Sequence, residues 1–205
     1  MNLAKLFETQ RVLDERIMEK HPELRGQENL DWKILALQVE LGECANEWRG
    51  FKRWSNDQES RTSVRCPRCS GEGTYAAHYI GGYNQVDCSF CNATGSVRNP
   101  LLEEYVDCLH FILSIGLELN IQNHYADEVN FNIGSRTKKT YPIKEFKNMF
   151  MKIAIFVALP LEKEYTNLLS AFTTLGDSLG FAEEQIENAY FEKNAVNHER
   201  QANGY

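Results

Sequence analysis

The sequence predicts an all-α helical bundle that is interrupted by one small insert. Two observations lead to this prediction. Apolar residues recur every three or four positions through most of the 205 residues, whereas a strand signal is confined to a stretch between two cysteine pairs. The composition, 42% apolar and 25% charged, is typical of a globular protein and excludes collagen-like, mucin-like and wholly disordered classes.

The first helix is predicted over residues 2–19, where a polar residue, Gln10, lies within the apolar stripe. A polar side chain at such a position either bonds to the backbone or faces a ligand. The second helix covers residues 31–49. The third begins at Asn99-Pro100, a capping residue followed by proline, and runs to about Asn120.

A polar loop is predicted over about 121–142, and two further helices follow it before a last one that runs from Ala182 towards the C-terminus. The apolar face of the first of these two consists of Phe146, Phe150, Ile153 and Val157. The face of the second consists of Leu161, Tyr165, Leu168, Phe172, Leu175 and Leu179.

Four of the six cysteines form two CxxC pairs, which are Cys66 with Cys69 and Cys88 with Cys91. In a reducing compartment this spacing indicates one tetrahedral zinc ion rather than disulfides. Four thiolates leave no open coordination position, so a structural ion is favoured over a catalytic one, with His78 as an alternative ligand. The first pair, continued by Gly71 and Gly73, resembles the zinc-binding modules of DnaJ-type chaperones.

Two of the predicted helices each carry a pair of acids one turn apart. The pairs are Glu40-x-x-Glu43 and Glu104-x-x-Asp107. They border the apolar faces, so we expect the carboxylates to point inwards, where their mutual repulsion requires divalent cations. Ligands that are all oxygen suit Mg²⁺ or Mn²⁺. The alternative explanation is an ordinary solvated helix face.

The net charge of −7 excludes recruitment of nucleic acid by bulk electrostatics, because that requires an excess of cations. No run of 18 apolar residues and no signal-type apolar segment is present. We therefore expect a cytosolic protein without a membrane or nucleic-acid partner.

Residues 39–48 and 104–114 together resemble the ExxE and ExxD signature of the all-α nucleoside triphosphate pyrophosphatases. Residues 51–54 and 193–205 resemble, respectively, an aromatic-Lys-x-Trp segment and a C-terminal phosphate-binding motif of the dimeric dUTPases, whose cousins are the MazG-like enzymes. The acid pairs are separated by more residues than is usual in that family. Removal of residues 58–97 restores a short connection, so this stretch is interpreted as a zinc-ribbon-like insert between scaffold segments 1–57 and 98–205.

The resemblance implies a homodimeric enzyme of a bacterial or phage-infected cytoplasm that hydrolyses dUTP to dUMP and pyrophosphate. It implies two or three Mg²⁺ or Mn²⁺ ions on Glu40, Glu43, Glu104 and Asp107, with Glu43 as the general base. Implied substrate contacts are Gln10, Lys52, Trp54, Lys193, Asn197, Arg200 and Tyr205. One departure is Asp14, where the family often carries Asn one turn after the residue that corresponds to Gln10.

Two alternatives remain open at this point. One is a pyrophosphatase for another nucleotide, such as dCTP, that shares the metal site but not the base pocket. The other is a non-enzymatic binding module in which the zinc insert binds a partner and the helices serve as its scaffold. Tryptophan and phenylalanine at the spacings of residues 48–54 are also common in cores, and Lys193, Asn197 and Arg200 are compatible with an ordinary charged terminal helix.

Overall fold

The computed structural model describes residues 1–125 and 141–204, and this part of the chain is mostly helical, as predicted. Its helices are α1 Leu3–Lys20, α2 Leu30–Trp48, α3 Pro100–Glu118, α4 Pro142–Ala158, α5 Glu162–Leu179 and α6 Glu183–Ala202. Short 3₁₀ helices, Pro22–Leu24 and Gln122–Tyr125, follow α1 and α3. The rest of the loop predicted over 121–142 lies largely outside the described residues. None of the helices described is long and apolar enough to cross a membrane.

Helix α3 lies at the centre of the bundle and contacts α1, α2, α5 and α6. It starts as the sequence predicts: the Asn99 side chain accepts a hydrogen bond from the Leu102 amide at 3.1 Å, and Pro100 occupies the first helical position. Two buried tyrosines connect it to α5. Tyr105 donates to the carbonyl of Phe172 at 3.0 Å, and Tyr165 donates to that of Ile112 at 2.9 Å. The helix that carries two of the predicted acids is therefore held on several sides.

The predicted apolar face of α4 is partly wrong. Phe150 and Val157 are 41% and 53% exposed, and Leu161 precedes α5 and is 58% exposed. The buried face of α4 steps between three and four residues in the other order and consists of Phe146, Met149, Ile153 and Phe156. Apolar residues occur on both sides of this helix, so periodicity alone does not decide which side packs against α5.

The segment between α2 and α3 contains the strands of the described structure, in agreement with the predicted position of the strand signal. Strands β1 Val64–Arg65 and β4 Ser96–Arg98 form one antiparallel pair, and β2 Thr74–Tyr79 and β3 Gly82–Asp87 form another. Arg61 ties the base of this segment to the bundle, since its amide donates to Glu47 and its carbonyl accepts from Leu101, both at 3.0 Å.

Candidate active site

The acid pairs meet where α2 packs against α3. The two helices run antiparallel, because Lys33 near the start of α2 pairs with Glu118 at the end of α3. Carboxylate oxygens of Glu40, Glu43 and Glu104 all lie within 4.8 Å of one another. Glu40 and Glu104 are half-buried, whereas Glu43 is exposed, so the expectation that all the acids point inwards is wrong for Glu43.

Burial and mutual repulsion disfavour the charged forms of these acids. The pKa of Glu40 is raised to about 7 by burial and then by the charges of Asp107 and Glu43. The pKa of Glu104 is also raised to about 7, by burial first and then by the same two neighbours. A cluster with this property is stabilised either by protons or by cations, and a divalent cation would replace the protons at neutral pH.

Asp107, the fourth predicted metal ligand, is paired with a cation from another helix. Its carboxylate accepts a hydrogen bond from the ammonium group of Lys193 on α6. Burial raises the pKa of Asp107, and the hydrogen bond from Lys193 opposes that rise. A cation bound here would therefore compete with Lys193 for this carboxylate.

A cavity of about 420 Å³ adjoins the acid cluster, with Glu40 and Asp107 in its wall. Three of the predicted substrate-binding residues of α6, Lys193, Asn197 and Arg200, also line it. They come together because they recur every three or four residues on one face of α6. The remaining wall comes from α1, α2, α3 and α6 and consists of Gln10, Leu13, Asp14, Ile17, Met18, Trp32, Lys33, His110, Phe111, Ser114 and Gln201.

Gln10 is buried and lines this cavity, but its bonds are to side chains and not to the backbone. Its Nε2 donates to Asp14 Oδ1 at 2.7 Å. Its Oε1 accepts from the Tyr190 hydroxyl at 3.0 Å and lies 2.8 Å from His110 Nδ1. Of the two expectations for Gln10, backbone bonding is wrong, and its position in the cavity wall is consistent with a ligand contact.

The other predicted substrate residues lie elsewhere. Lys52 follows the end of α2 and its ammonium lies 5.8 Å from the Phe51 ring, and Trp54 is 77% exposed with its ring edge-on to Phe51. Neither lines the cavity. Tyr205 lies outside the described residues.

Several cavity residues were not identified as substrate contacts from the sequence, among them Trp32, Asp14 and His110. A signal for some of them was present. Asp107, His110 and Ser114 lie on one stripe of α3 at spacings of three and four residues, and Asp14 follows Gln10 by one turn. Buried Lys33 faces Asp14 at 3.7 Å, an ion pair between α1 and α2 that spacing within one helix cannot indicate.

The four CxxC cysteines converge into a second cluster, within the segment between α2 and α3. The Sγ atoms are 3.8 Å apart for Cys66 and Cys88 and 3.7 Å apart for Cys69 and Cys91. Zinc–sulfur bonds of about 2.3 Å in a tetrahedron place sulfurs about 3.8 Å apart. The cluster therefore has the size of a Cys₄ zinc site. His78 is exposed, stacks edge-on against Tyr83 and is not part of the cluster.

The loops around the cysteines are shaped by glycine. The amide of Gly73 donates to the Cys69 sulfur at 3.2 Å, and that of Gly95 donates to the Cys91 sulfur at 3.3 Å. Both glycines have a φ of +75°, and an added Cβ would lie 2.3 Å from the carbonyl oxygen of Ala93 in the first case. Amide donors that point at the sulfurs stabilise thiolates, the form that binds metal.

The known protein families agree with this site. A family model described as dUTPase matches residues 2–66 and 91–205, which contain the acid cluster and the cavity. No curated protein matches the chain. The stretch that the family model leaves out, 67–90, contains β2 and β3. The chain therefore belongs to the dUTPase family, and it is a nucleoside triphosphate pyrophosphatase, a dUTP diphosphatase.

Proposed function

We propose that the enzyme hydrolyses dUTP to dUMP and pyrophosphate with divalent cations, Mg²⁺ or Mn²⁺, held by Glu40, Glu43, Glu104 and Asp107. The observation that carries this proposal is the group of three carboxylates within 4.8 Å of one another beside a cavity lined by α6 cations. Oxygens around one octahedral Mg²⁺ are about 3 to 4 Å apart, so small side-chain adjustments would fit the ion. Two or three ions agree with the dUTPase resemblance.

Bound Mg²⁺ would supply neutralisation of the triphosphate charge and a water molecule of lowered pKa. Among the acids of the cluster, Glu43 is the exposed one, and we assign to it the acceptance of the proton of the attacking water. Lys193, Asn197 and Arg200 would donate hydrogen bonds to phosphate oxygens. Water adds to phosphorus, the bond between the α and β phosphates breaks, and pyrophosphate leaves with its electron pair.

The test is release of pyrophosphate by the purified protein with Mg²⁺ and each of dUTP, dCTP, dTTP and UTP. We expect dUTP to be preferred and Glu43→Gln to abolish turnover. Glu103→Gln is the matched control, because Glu103 is next to Glu104 in sequence but pairs with Arg98 at 2.8 Å. Turnover by Glu43→Gln at the wild-type rate would overturn the assignment of the base.

The same assay separates the alternatives. Turnover of dCTP with dUTP ignored would show that the metal site is used with a different base pocket. Silence with every nucleotide would favour a non-enzymatic binding module.

The cysteine cluster would hold one structural Zn²⁺ in an insert that spans residues 58–97, with scaffold segments 1–57 and 98–205. Support comes from the four buried sulfurs and from the gap at 67–90 in the family match. Free thiols in such a cluster are typical of a reducing compartment, which supports a location in the cytoplasm of a bacterium or of a phage host. Metal analysis of the purified protein should give one zinc per chain.

The enzyme would act as a homodimer, as the resemblance implies. Support comes from α2, where Trp32, Leu35 and Val39 are 40%, 61% and 50% exposed and lie on one stripe. Light scattering at micromolar concentration should give twice the mass of 23.6 kDa. Leu35→Glu should shift the protein towards monomer, whereas a monomeric wild type would refute this part of the proposal.

A further inference from the structure

His110 is a buried histidine in the cavity wall for which the proposed chemistry has no use so far. It lies on α3, one turn after Asp107, is 5% exposed, and stacks on Tyr190 with the ring centroids 4.3 Å apart. It also lines the cavity together with Gln10. A buried imidazole in such a position needs partners for both ring nitrogens.

The hydrogen bonds around Gln10 fix which nitrogen of His110 carries the proton. Asp14 accepts from Ser114 at 2.6 Å, and as a carboxylate it is an acceptor that draws the amide nitrogen of Gln10 towards it. The amide oxygen of Gln10 then faces Tyr190 and His110 as an acceptor. Nδ1 of His110 must therefore be the donor, and Nε2 keeps its lone pair.

Nε2 of His110 is buried and has no hydrogen-bond partner among the described residues. The imidazole stays neutral, because burial and then the charge of Lys193 lower its pKa to about 3. Gln10 Nε2 has a second N–H besides the one that it donates to Asp14. The wall thus holds an acceptor on His110 and a donor on Gln10, separated by the 2.8 Å hydrogen bond that fixes both.

We propose that His110 is a specificity-determining residue whose Nε2 accepts the N3–H of the base, while Gln10 donates to a neighbouring carbonyl oxygen. This inference rests on the proposed function and deepens it. Uracil presents N3–H beside carbonyl oxygens, which matches one acceptor and one donor. Cytosine has a lone pair on N3 and an amino group at position 4, so both contacts become repulsive. A base without the imino proton is therefore rejected by unpaired buried groups.

The test compares His110→Asn with the wild-type enzyme. The Asn amide nitrogen can occupy the place of Nδ1 and keep the bond to Gln10, but nothing replaces Nε2. We expect kcat/KM for dUTP to fall about tenfold or more and that for dCTP to change less than about threefold, which narrows the ratio. A merely structural role for His110 would lower both substrates equally, and that result would overturn the proposal.

Two further arms keep the test decisive. A ligand donor could also be the 3′-hydroxyl of the sugar, so 3′-deoxy-dUTP is assayed with the wild type and requires no folded variant. Retained turnover supports the base contact, whereas a loss as large as that expected for His110→Asn assigns Nε2 to the sugar and overturns it. If no nucleotide is hydrolysed, the proposed function fails by itself. Calorimetric binding of dUMP against dCMP, with wild type and His110→Asn, then tests the same ratio.

Discussion

Protonation of the acid cluster should make the stability of the enzyme depend on pH and on Mg²⁺ together. Glu40 and Glu104 have pKa values of about 7 in the folded protein against an ordinary value of 4.5. A carboxyl whose pKa is raised by folding contributes stability that is fully present below pH 4.5 and is lost as the pH rises through 7. Without Mg²⁺, the protein should therefore become less stable across this window.

The size of the effect follows from the two pKa values. A rise from 4.5 to about 7 corresponds to about 3.4 kcal/mol for each carboxyl at full effect. Both side chains are half-exposed, so solvent screening reduces this to about 1 kcal/mol each. For a protein of this length, about 2 kcal/mol in total changes the melting temperature by about 4 to 8 °C.

The assay is thermal unfolding at pH 5 and pH 8 in magnesium-free buffer without chelator, so that any zinc stays bound. We expect the wild type to lose about 4 °C or more relative to Glu40→Gln/Glu104→Gln between these two pH values. Glu19→Gln, at an exposed glutamate near the end of α1, should behave like wild type. Added Mg²⁺ should raise the melting temperature more at pH 8 than at pH 5, because it competes with protons. An identical pH dependence in the wild type and the double variant would refute this reasoning.

Three other predictions concern separate parts of the molecule. Cys69→Ser should release zinc and speed hydrogen exchange over residues 64–98 while kcat/KM for dUTP changes less than about threefold; complete loss of turnover would show that the insert belongs to the catalytic frame. Gly42→Ala, where an added Cβ meets nothing within 4 Å, should stabilise α2 by about 0.5 to 1 kcal/mol in urea unfolding. Gly116→Ala should instead destabilise the bundle by about 1 to 3 kcal/mol, because its Cβ would lie 2.6 Å from a buried tyrosine hydroxyl, and equal effects of the two changes would contradict this packing. Lys33→Ala should cost about 3 kcal/mol in the same measurement, since it leaves Asp14 buried without its cation, and a neutral result would contradict that pairing.

The sequence alone determined the helical class, the position of the strands and the two groups of metal-binding residues. Periods of 3.6 and 2 residues are local properties, and CxxC or ExxE spacing places two ligands on one turn or one loop before any tertiary contact forms. The cap at Asn99-Pro100 is equally local, and the structure has it as predicted.

Only the tertiary structure decided which surfaces face each other. The buried side of α4 depends on what α5 presents to it, which is why Phe150 and Val157 lie on the exposed side. The partners of Gln10 come from α3 and α6 as well as from α1, and His110 lies 100 residues away in sequence. Burial in that contact leaves one nitrogen of the imidazole as an acceptor, and no local pattern carries this information because hydrogen-bond direction is set by neighbours from several helices.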